Sequence, residues 1–298
     1  MGKITAIKKL KRLYRVDLSG FDDEDKIYLS EDTIVHFFLN VDKKLDDADL
    51  EEIQSYDQFA QGKSLALYYI SFKMRTSSEV RKYLSEHEID NTDQIDEVIN
   101  VLTKNNLIND KAYAENFIEG KISMGSAGPY QIKQKLITKG IDPLIIDQAL
   151  SNIYDEEKQI DVAYKLAEKT NRTYGHRLTL KQLKDKIIQN LMNKGFTYSI
   201  SSIALESLEL ETDEENETQL LYTALEKVAK RYSKNYEGYE RKQKVTQALA
   251  RKGFSYDDIS SALRDYTFPD MIKKFSSQII QLTNSSDKSG FFLKPIFS

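Results

Sequence analysis

The chain has 298 residues, 40% hydrophobic and 30% charged, a globular composition whose 12 Gly and 4 Pro leave little room for linker. Without cysteine it can hold no disulfide, thiolate metal site or cysteine nucleophile, and no apolar run approaches the ~20 residues of a bilayer span. The net charge of −4 hides local bias: residues 1–15 carry six bases and no acid, 205–217 seven acids and no base, and 230–252 eight bases against two acids. A mildly acidic total therefore leaves room for a stripe that faces a polyanion.

The basic N-terminus lacks the apolar core and cleavage site of a signal peptide, so a cytoplasmic protein is expected. Residues 3–18 and 26–39 hold β-branched and aromatic runs separated by acidic FDDED, which reads as two or three short strands. Asp46 then caps a short acidic helix over 46–54. Gly62-Lys63-Ser64 resembles the end of a phosphate-binding loop. Asp57 stands where that loop needs Gly, and no strand precedes it, so no nucleotide site is expected.

From here the chain repeats itself. Four segments align without gaps: 79–89 (EVRKYLSEHEI), 131–141 (QIKQKLITKGI), 186–196 (KIIQNLMNKGF) and 244–254 (KVTQALARKGF). Their apolar anchors are Val80, Leu84, Ile89; Ile132, Leu136, Ile141; Ile187, Leu191, Phe196; and Val245, Leu249, Phe254. The i, i+4 spacing puts the first two of each set on one buried helical face. Gly140, Gly195 and Gly253 precede the last anchor and close the helix in the left-handed conformation; the first copy has Glu88 there and should end differently.

Thr76 with Glu79, Thr179 with Gln182 and Ser255 with Asp258 mark helix starts, and Gly128-Pro129 and Asp142-Pro143 open two more. A second short helix follows each anchor of the last three copies, and a longer amphipathic one is expected near 110–121, 156–169 and 217–232. The fold class is thus mainly α: tandem three-helix repeats in an extended curved array, behind a small strand-containing N-terminal region. The expected divisions are 1–60 (β-containing), 61–125, 126–175, 176–235 and 236–283 (repeats one to four), and a tail at 284–298. Residues 268–282 could supply the last helix of the fourth copy.

Catalysis finds no support. His36, His87 and His176 lack metal-ligand spacing, the carboxylates form surface-like runs, and no serine sits in a nucleophile elbow. No cofactor and no metal are expected. What remains is a binding surface in which bases and aromatics interleave along the repeats, such as Tyr69, Arg75, Arg81, Lys82 and Tyr83.

Residues 66–84 (ALYYISFKMRTSSEVRKYL), 107–125 (LINDKAYAENFIEGKISMG) and 128–141 (GPYQIKQKLITKGI) resemble, in order and spacing, the RecX family of regulators of the RecA recombinase. The likeness covers 66–266, and the length and N-terminal strands are similar to the longer Gram-positive members. It implies a non-enzymatic protein lying in the groove of a RecA–DNA filament and modulating its recombinase, ATPase and co-protease activities in DNA repair and the SOS response. By the same resemblance Arg75, Arg81, Lys82, Tyr113, Lys121, Lys133 and Lys139 face the filament. The charge run adds Arg241, Lys242, Arg251 and Lys252. Gly128, Pro129, Gly140, Gly195 and Gly253 are expected to set shape.

The expected partner is the RecA filament, bound by a monomer, with single- or double-stranded DNA as a second candidate and no membrane. The alternative function is a stand-alone helical DNA-binding protein that meets phosphates through its basic repeat faces. The apolar end of the tail, 291–297, matches nothing expected in the family.

Overall fold

The computed structural model describes residues 1–21, 25–87, 89 and 91–268. Glu88, the expected last helix of the fourth copy and the tail at 284–298 lie outside them. The chain forms two compact units, Met1–Lys158 and Gln159–Ser298. Thirteen helices and one antiparallel sheet are present among the described residues.

The first unit opens with β1 (Gly2–Lys9), β2 (Tyr14–Ser19), β3 (Lys26–Leu29) and β4 (Lys44–Leu45), ordered β3-β2-β1-β4. Ile4 is buried and Ile7, three residues on, packs against the same core, because the β1–β2 register shifts between Ile4 and Ala6. Such a bulge restores the inward phase of a strand whose alternation would otherwise turn Ile7 outward. Val16, Leu18, Ile27, Leu29 and Leu45 complete the sheet side of this core, with Leu50 and Ile53 opposite.

Two expectations for this region are corrected. The run through 30–39 is not a strand but carries helix α1 (Glu31–His36). Ser30 caps it, accepting from the Thr33 amide, and Glu31 and Asp32 sit at its positive end. The buried Asp57 carboxylate accepts from the Ser30 amide at 2.7 Å and the Thr33 hydroxyl at 2.5 Å, so tertiary contacts override the β-branched propensity. The acidic helix that Asp46 starts is not short: α2 runs Asp47–Ser71, 25 residues, from a full capping box with Asp49. The division expected at residue 60 therefore falls inside one helix. Gly62-Lys63-Ser64 is also helical, which removes any phosphate loop.

After α2 come α3 (Ser77–Ser85), α4 (Thr92–Lys104), α5 (Asp110–Ser123), α6 (Pro129–Thr138) and α7 (Pro143–Ile153). The second half of α2 packs on α3 and α4 around Ala66, Val80, Leu84, Ile95, Val98 and Leu102. Helix α5 packs on α6 and most heavily on α7, and meets α3 through Asp110 at its first turn. In the first unit a long helix thus packs on the two shorter helices that follow it, as α2 on α3 and α4 and α5 on α6 and α7.

The second unit repeats the scheme with α8 (Glu156–Tyr174), α9 (Leu180–Asn193), α10 (Tyr198–Glu206), α11 (Glu214–Tyr232), α12 (Gly238–Arg251) and α13 (Tyr256–Asp265). Leu221, Leu225, Val245, Leu249, Ile259, Leu263 and Phe268 form the core of its last triplet.

All twelve anchors are buried. In every copy the amide of the last anchor donates to the carbonyl of the central Leu: Ile89 to Leu84, Ile141 to Leu136, Phe196 to Leu191 and Phe254 to Leu249. This is the 6→1 bond of a Schellman closure. The first copy makes it without glycine, so in this bond it ends like the others.

Candidate partner-binding surfaces

The cap that starts one repeat helix is also what joins two triplets. Thr76 accepts from the Glu79 amide as N-cap of α3 and donates its hydroxyl to the Lys139 carbonyl, 2.8 Å away at the end of α6. Thr179, N-cap of α9, donates in the same way to the Lys252 carbonyl at 3.1 Å, at the end of α12. A carboxylate from the next long helix finishes each junction. Asp110 accepts from the Ser77 amide at 2.8 Å, and Glu217 from the Leu180 amide at 2.5 Å. Helix ends leave carbonyls and amides unpaired, and here each end satisfies the other.

The closing glycines make this approach possible. Gly140 has φ +76°, and a β-carbon there would lie 2.3 Å from Cβ and Oγ of Ser78. Gly253 has φ +95° and would place one 3.1 Å from both Lys181 Cβ and Thr179 Oγ1. Gly195 shares the left-handed conformation at φ +93°. Gly128 is a buried N-cap with no side-chain bond, and Pro129 is the first residue of α6.

Many of the bases expected to face a partner are already paired within the first unit. Lys139 Nζ lies 2.6 Å from Glu79 Oε1 across the junction. Burial alone would raise the Glu79 carboxyl, but the Lys139 hydrogen bond, the Thr76 amide and the charges of Lys139 and Arg75 outweigh it and hold it below its ordinary value. The same hydrogen bond from Glu79 raises Lys139. Arg81 is bonded to Asp96, Lys133 to Asp147 at 2.5 Å, and Lys82 to Glu86 at 3.8 Å. Arg75 lies over the Tyr69 ring, 4.0 Å from its centre. Tyr69 stacks on Tyr83 at 4.0 Å, and Tyr83 meets His87 at 4.1 Å. Tyr69, Lys82, Tyr83 and Lys139 line one cleft with Ser78, Glu79, Glu86 and Thr138. Tyr113 is half-buried and close enough to act on the charge of Lys139. Lys121 sits over the Phe117 ring at 5.3 Å on the last turn of α5, away from that cleft's lining.

In the second unit one expectation fails: Arg241 is 4% exposed, lying 3.9 Å from the centre of the Phe268 ring with Nη1 3.4 Å from Ser233 Oγ. A guanidinium stacks well on an aromatic face, so this base builds the core of the last triplet instead of facing outward. Lys242, Arg251 and Lys252 are exposed and make no ion pair among the described residues. Arg251 borders a cleft with Lys181, Gln247 and Tyr256; Lys252 borders another with Arg177, Thr179 and Lys227. Arg177, Lys181 and Lys227 were not singled out in the sequence, where each stands outside the basic run. Only the 73-residue closure between Thr179 and Lys252 brings them beside it.

Three family models match this chain: RecX, first three-helix domain, over residues 63–102; RecX, second three-helix domain, over 109–150; and RecX, third three-helix domain, over both 156–205 and 214–263. These limits follow the observed triplets, each led by its long helix. The chain is 98% identical over 270 residues to a regulatory protein RecX of Lactococcus lactis subsp. lactis, covering 91% of this chain and all of the relative. It is 48% identical to one of Streptococcus gordonii over 264 residues, 89% of this chain and 99% of the relative. Among solved structures, a crystal structure of a regulatory protein RecX aligns with TM-score 0.58 at 31% identity, over 69% of this chain and all of the other. RecX from Lactobacillus salivarius aligns with TM-score 0.50 at 36% identity, over 52% and 99%. With three-helix domains matched over most of its length and relatives this similar, the chain belongs to the RecX family.

Proposed function

We propose that this RecX-family protein is a non-enzymatic regulator of the RecA recombinase, lying along the groove of the RecA–DNA filament and adjusting strand exchange, ATP hydrolysis and co-protease activity. The observation that carries this reading is the duplicated junction, Thr76 to Lys139 and Thr179 to Lys252. Each unit holds two triplets through the same hydrogen bond, so each offers similar surfaces twice. A filament of identical protomers is a partner that repeated surfaces can engage at several points. Modest contacts then add up through effective concentration.

Within that reading the partner-facing bases are the exposed ones of the second unit, Lys242, Arg251 and Lys252, with Arg177, Lys181 and Lys227 beside the last two. The stack of Arg75, Tyr69 and Tyr83 with Lys82 and Lys139 forms a second contact in the first unit. Among the described residues no helix is long and apolar enough to cross a membrane. The protein acts as a monomer, and filament DNA is a neighbour of the same bases.

The test is single-strand-dependent ATP hydrolysis by the cognate RecA, with this protein added at substoichiometric ratios. A change in rate at few copies per filament is expected. No change, together with tight salt-sensitive binding to bare DNA, would overturn the reading in favour of a stand-alone DNA-binding protein.

A further inference from the structure

The N-terminal sheet lies outside the three-helix domains that define the family, and one side of it has no packing role. Ile4, Val16, Leu18, Ile27 and Leu29 turn to the core, so the alternate residues form the outer face. The strand register sets these in rows. Lys8 stands opposite Arg15, and Arg15 opposite Tyr28; the next row is Ala6, Asp17 and Lys26. The turn beyond, closed by the Leu10 amide donating to the Leu13 carbonyl at 2.8 Å, adds exposed Lys11 and Arg12.

This arrangement is unfavourable for the isolated protein. Like charges directly opposite each other on neighbouring strands repel. These two rows and the tip hold five bases, Lys8, Lys11, Arg12, Arg15 and Lys26, against one acid, Asp17, which is bonded to Arg15 at 3.0 Å. Two acids bordering the sheet are occupied, Glu31 by Lys9 and Asp42 by Lys3, while exposed Asp25, beside Lys26 at the opposite end from the tip, makes no ion pair among the described residues. Lys8, Lys11 and Arg12 make no ion pair among the described residues. At the end of the basic row stands Tyr28, 47% exposed, with its ring on the same face.

We propose that this face and hairpin tip form a binding site for single-stranded nucleic acid, with Lys8, Lys11, Arg12 and Arg15 on phosphates and Tyr28 under a base. The bases of the tip and Lys8, without a counter-ion among the described residues, supply the phosphate contacts, and Arg15, already paired with Asp17, adds to them. A flat strand face carrying an aromatic among them supplies the stacking that a polyanion without bases cannot use. The strand spacing of about 4.8 Å sets Lys8, Arg15 and Tyr28 in a line along which one chain of nucleotides lies. An anionic lipid surface would be met by the charge alone, and of the two leucines at the tip Leu10 is 39% exposed while Leu13 is partly buried.

The experiment measures binding of the full chain to a fluorescent thymidine 20-mer without RecA, at several salt concentrations, for three proteins. The triple variant Lys8→Glu, Lys11→Glu, Arg12→Glu replaces exposed side chains only. It is expected to lose at least about tenfold in affinity and to flatten the dependence of log K on log salt by about two, since each phosphate contact on a single strand contributes about 0.7. Tyr28→Ala is expected to lose about fivefold or more with the salt slope unchanged, because stacking releases no counter-ion. Wild-type affinity and slope in the triple variant would overturn the site. So would tighter binding to vesicles of anionic phospholipid than to the oligonucleotide. Circular dichroism on the same variants separates this result from misfolding, and the RecA assay separates it from failure of the regulator reading, since RecA is absent from the binding measurement.

Discussion

The hydroxyl of Thr76 donates to the carbonyl of Lys139 at 2.8 Å, tying the start of α3 to the end of α6 over 63 residues of sequence. Thr179 and Lys252 repeat the bond at 3.1 Å over 73 residues. A single hydroxyl accepts an amide of its own helix and donates to the helix of the next triplet. Capping and assembly are therefore one interaction.

Replacing this hydroxyl should cost more than an ordinary cap. Thr76→Val keeps the shape, loses the cap and leaves the Lys139 carbonyl without its partner, a combination expected to destabilise the first unit by about 1–3 kcal/mol. Thr76→Ser should recover most of it. Urea unfolding followed by tryptophan-free probes such as circular dichroism reads the shift; equal midpoints for Val and wild type would show the bond to be dispensable.

Gly140→Ala should be worse than a change of propensity. Its φ of +76° is disfavoured for any side chain, and the new methyl would lie 2.3 Å from Ser78 Cβ. The expected result is a lowered unfolding temperature and faster amide exchange at Ser77 and in the last turn of α6. Adding Ser78→Gly should restore part of the loss by removing the clash but not the strain. If Gly140→Ala exchanges like wild type, the two ends are not held against each other in solution.

Acid should loosen the same junction. The folded Glu79 carboxyl titrates below its ordinary 4.5, so its stabilisation is fully present above that pH and is lost as pH falls through the depressed folded value. Lys139, raised above 10.5, gives stability present below that pH and lost as pH rises through its folded value. Between these limits the pair is insensitive to pH. Urea midpoints of wild type and Glu79→Gln are expected to converge below pH 4.5; parallel curves down to pH 3 would remove Glu79 from the acid response.

Tyr154 pins the connection between α5 and α6. It is 2% exposed, and its hydroxyl donates to the Ala127 carbonyl at 3.1 Å, while burial raises its pKa far above the ordinary tyrosine value. Tyr154→Phe keeps the ring and strands that carbonyl, for an expected loss of about 1–3 kcal/mol. The measurement is thermal unfolding at neutral pH, and an unchanged transition would mean water replaces the bond.

Charge reversal should separate the two groups of bases. Arg251→Glu with Lys252→Glu alters exposed side chains with no ion pair among the described residues, so it is expected to weaken the effect on RecA at least tenfold without a change in stability. Lys133→Glu, by contrast, sets a new carboxylate against Asp147, and its effect should appear in unfolding as well as in activity. Retention of full activity by the Arg251, Lys252 variant would place the contact elsewhere.

The sequence by itself determined what depends on neighbours along the chain. The anchors, the glycine stops, the caps at Thr76, Thr179 and Asp142, and the family likeness all rest on spacings of a few residues, where helix geometry maps sequence directly onto a face. What reached across the chain was not legible. The fate of residues 31–36 turned on Asp57, 24 to 27 residues away from the groups it binds, and the phase of the triplets on whether α5 packs forward onto α7 or backward. The site residues divide along the same line. A base in a sequence carries no sign of its counter-ion, so Lys139, Arg81 and Lys133 read like Arg251 and Lys252 until the fold sets carboxylates beside the first three, and Arg241 read as exposed until Phe268 closed over it. Helix periodicity is a local property of the backbone, whereas burial and ion pairing depend on contacts between distant segments, and only the tertiary structure decides those.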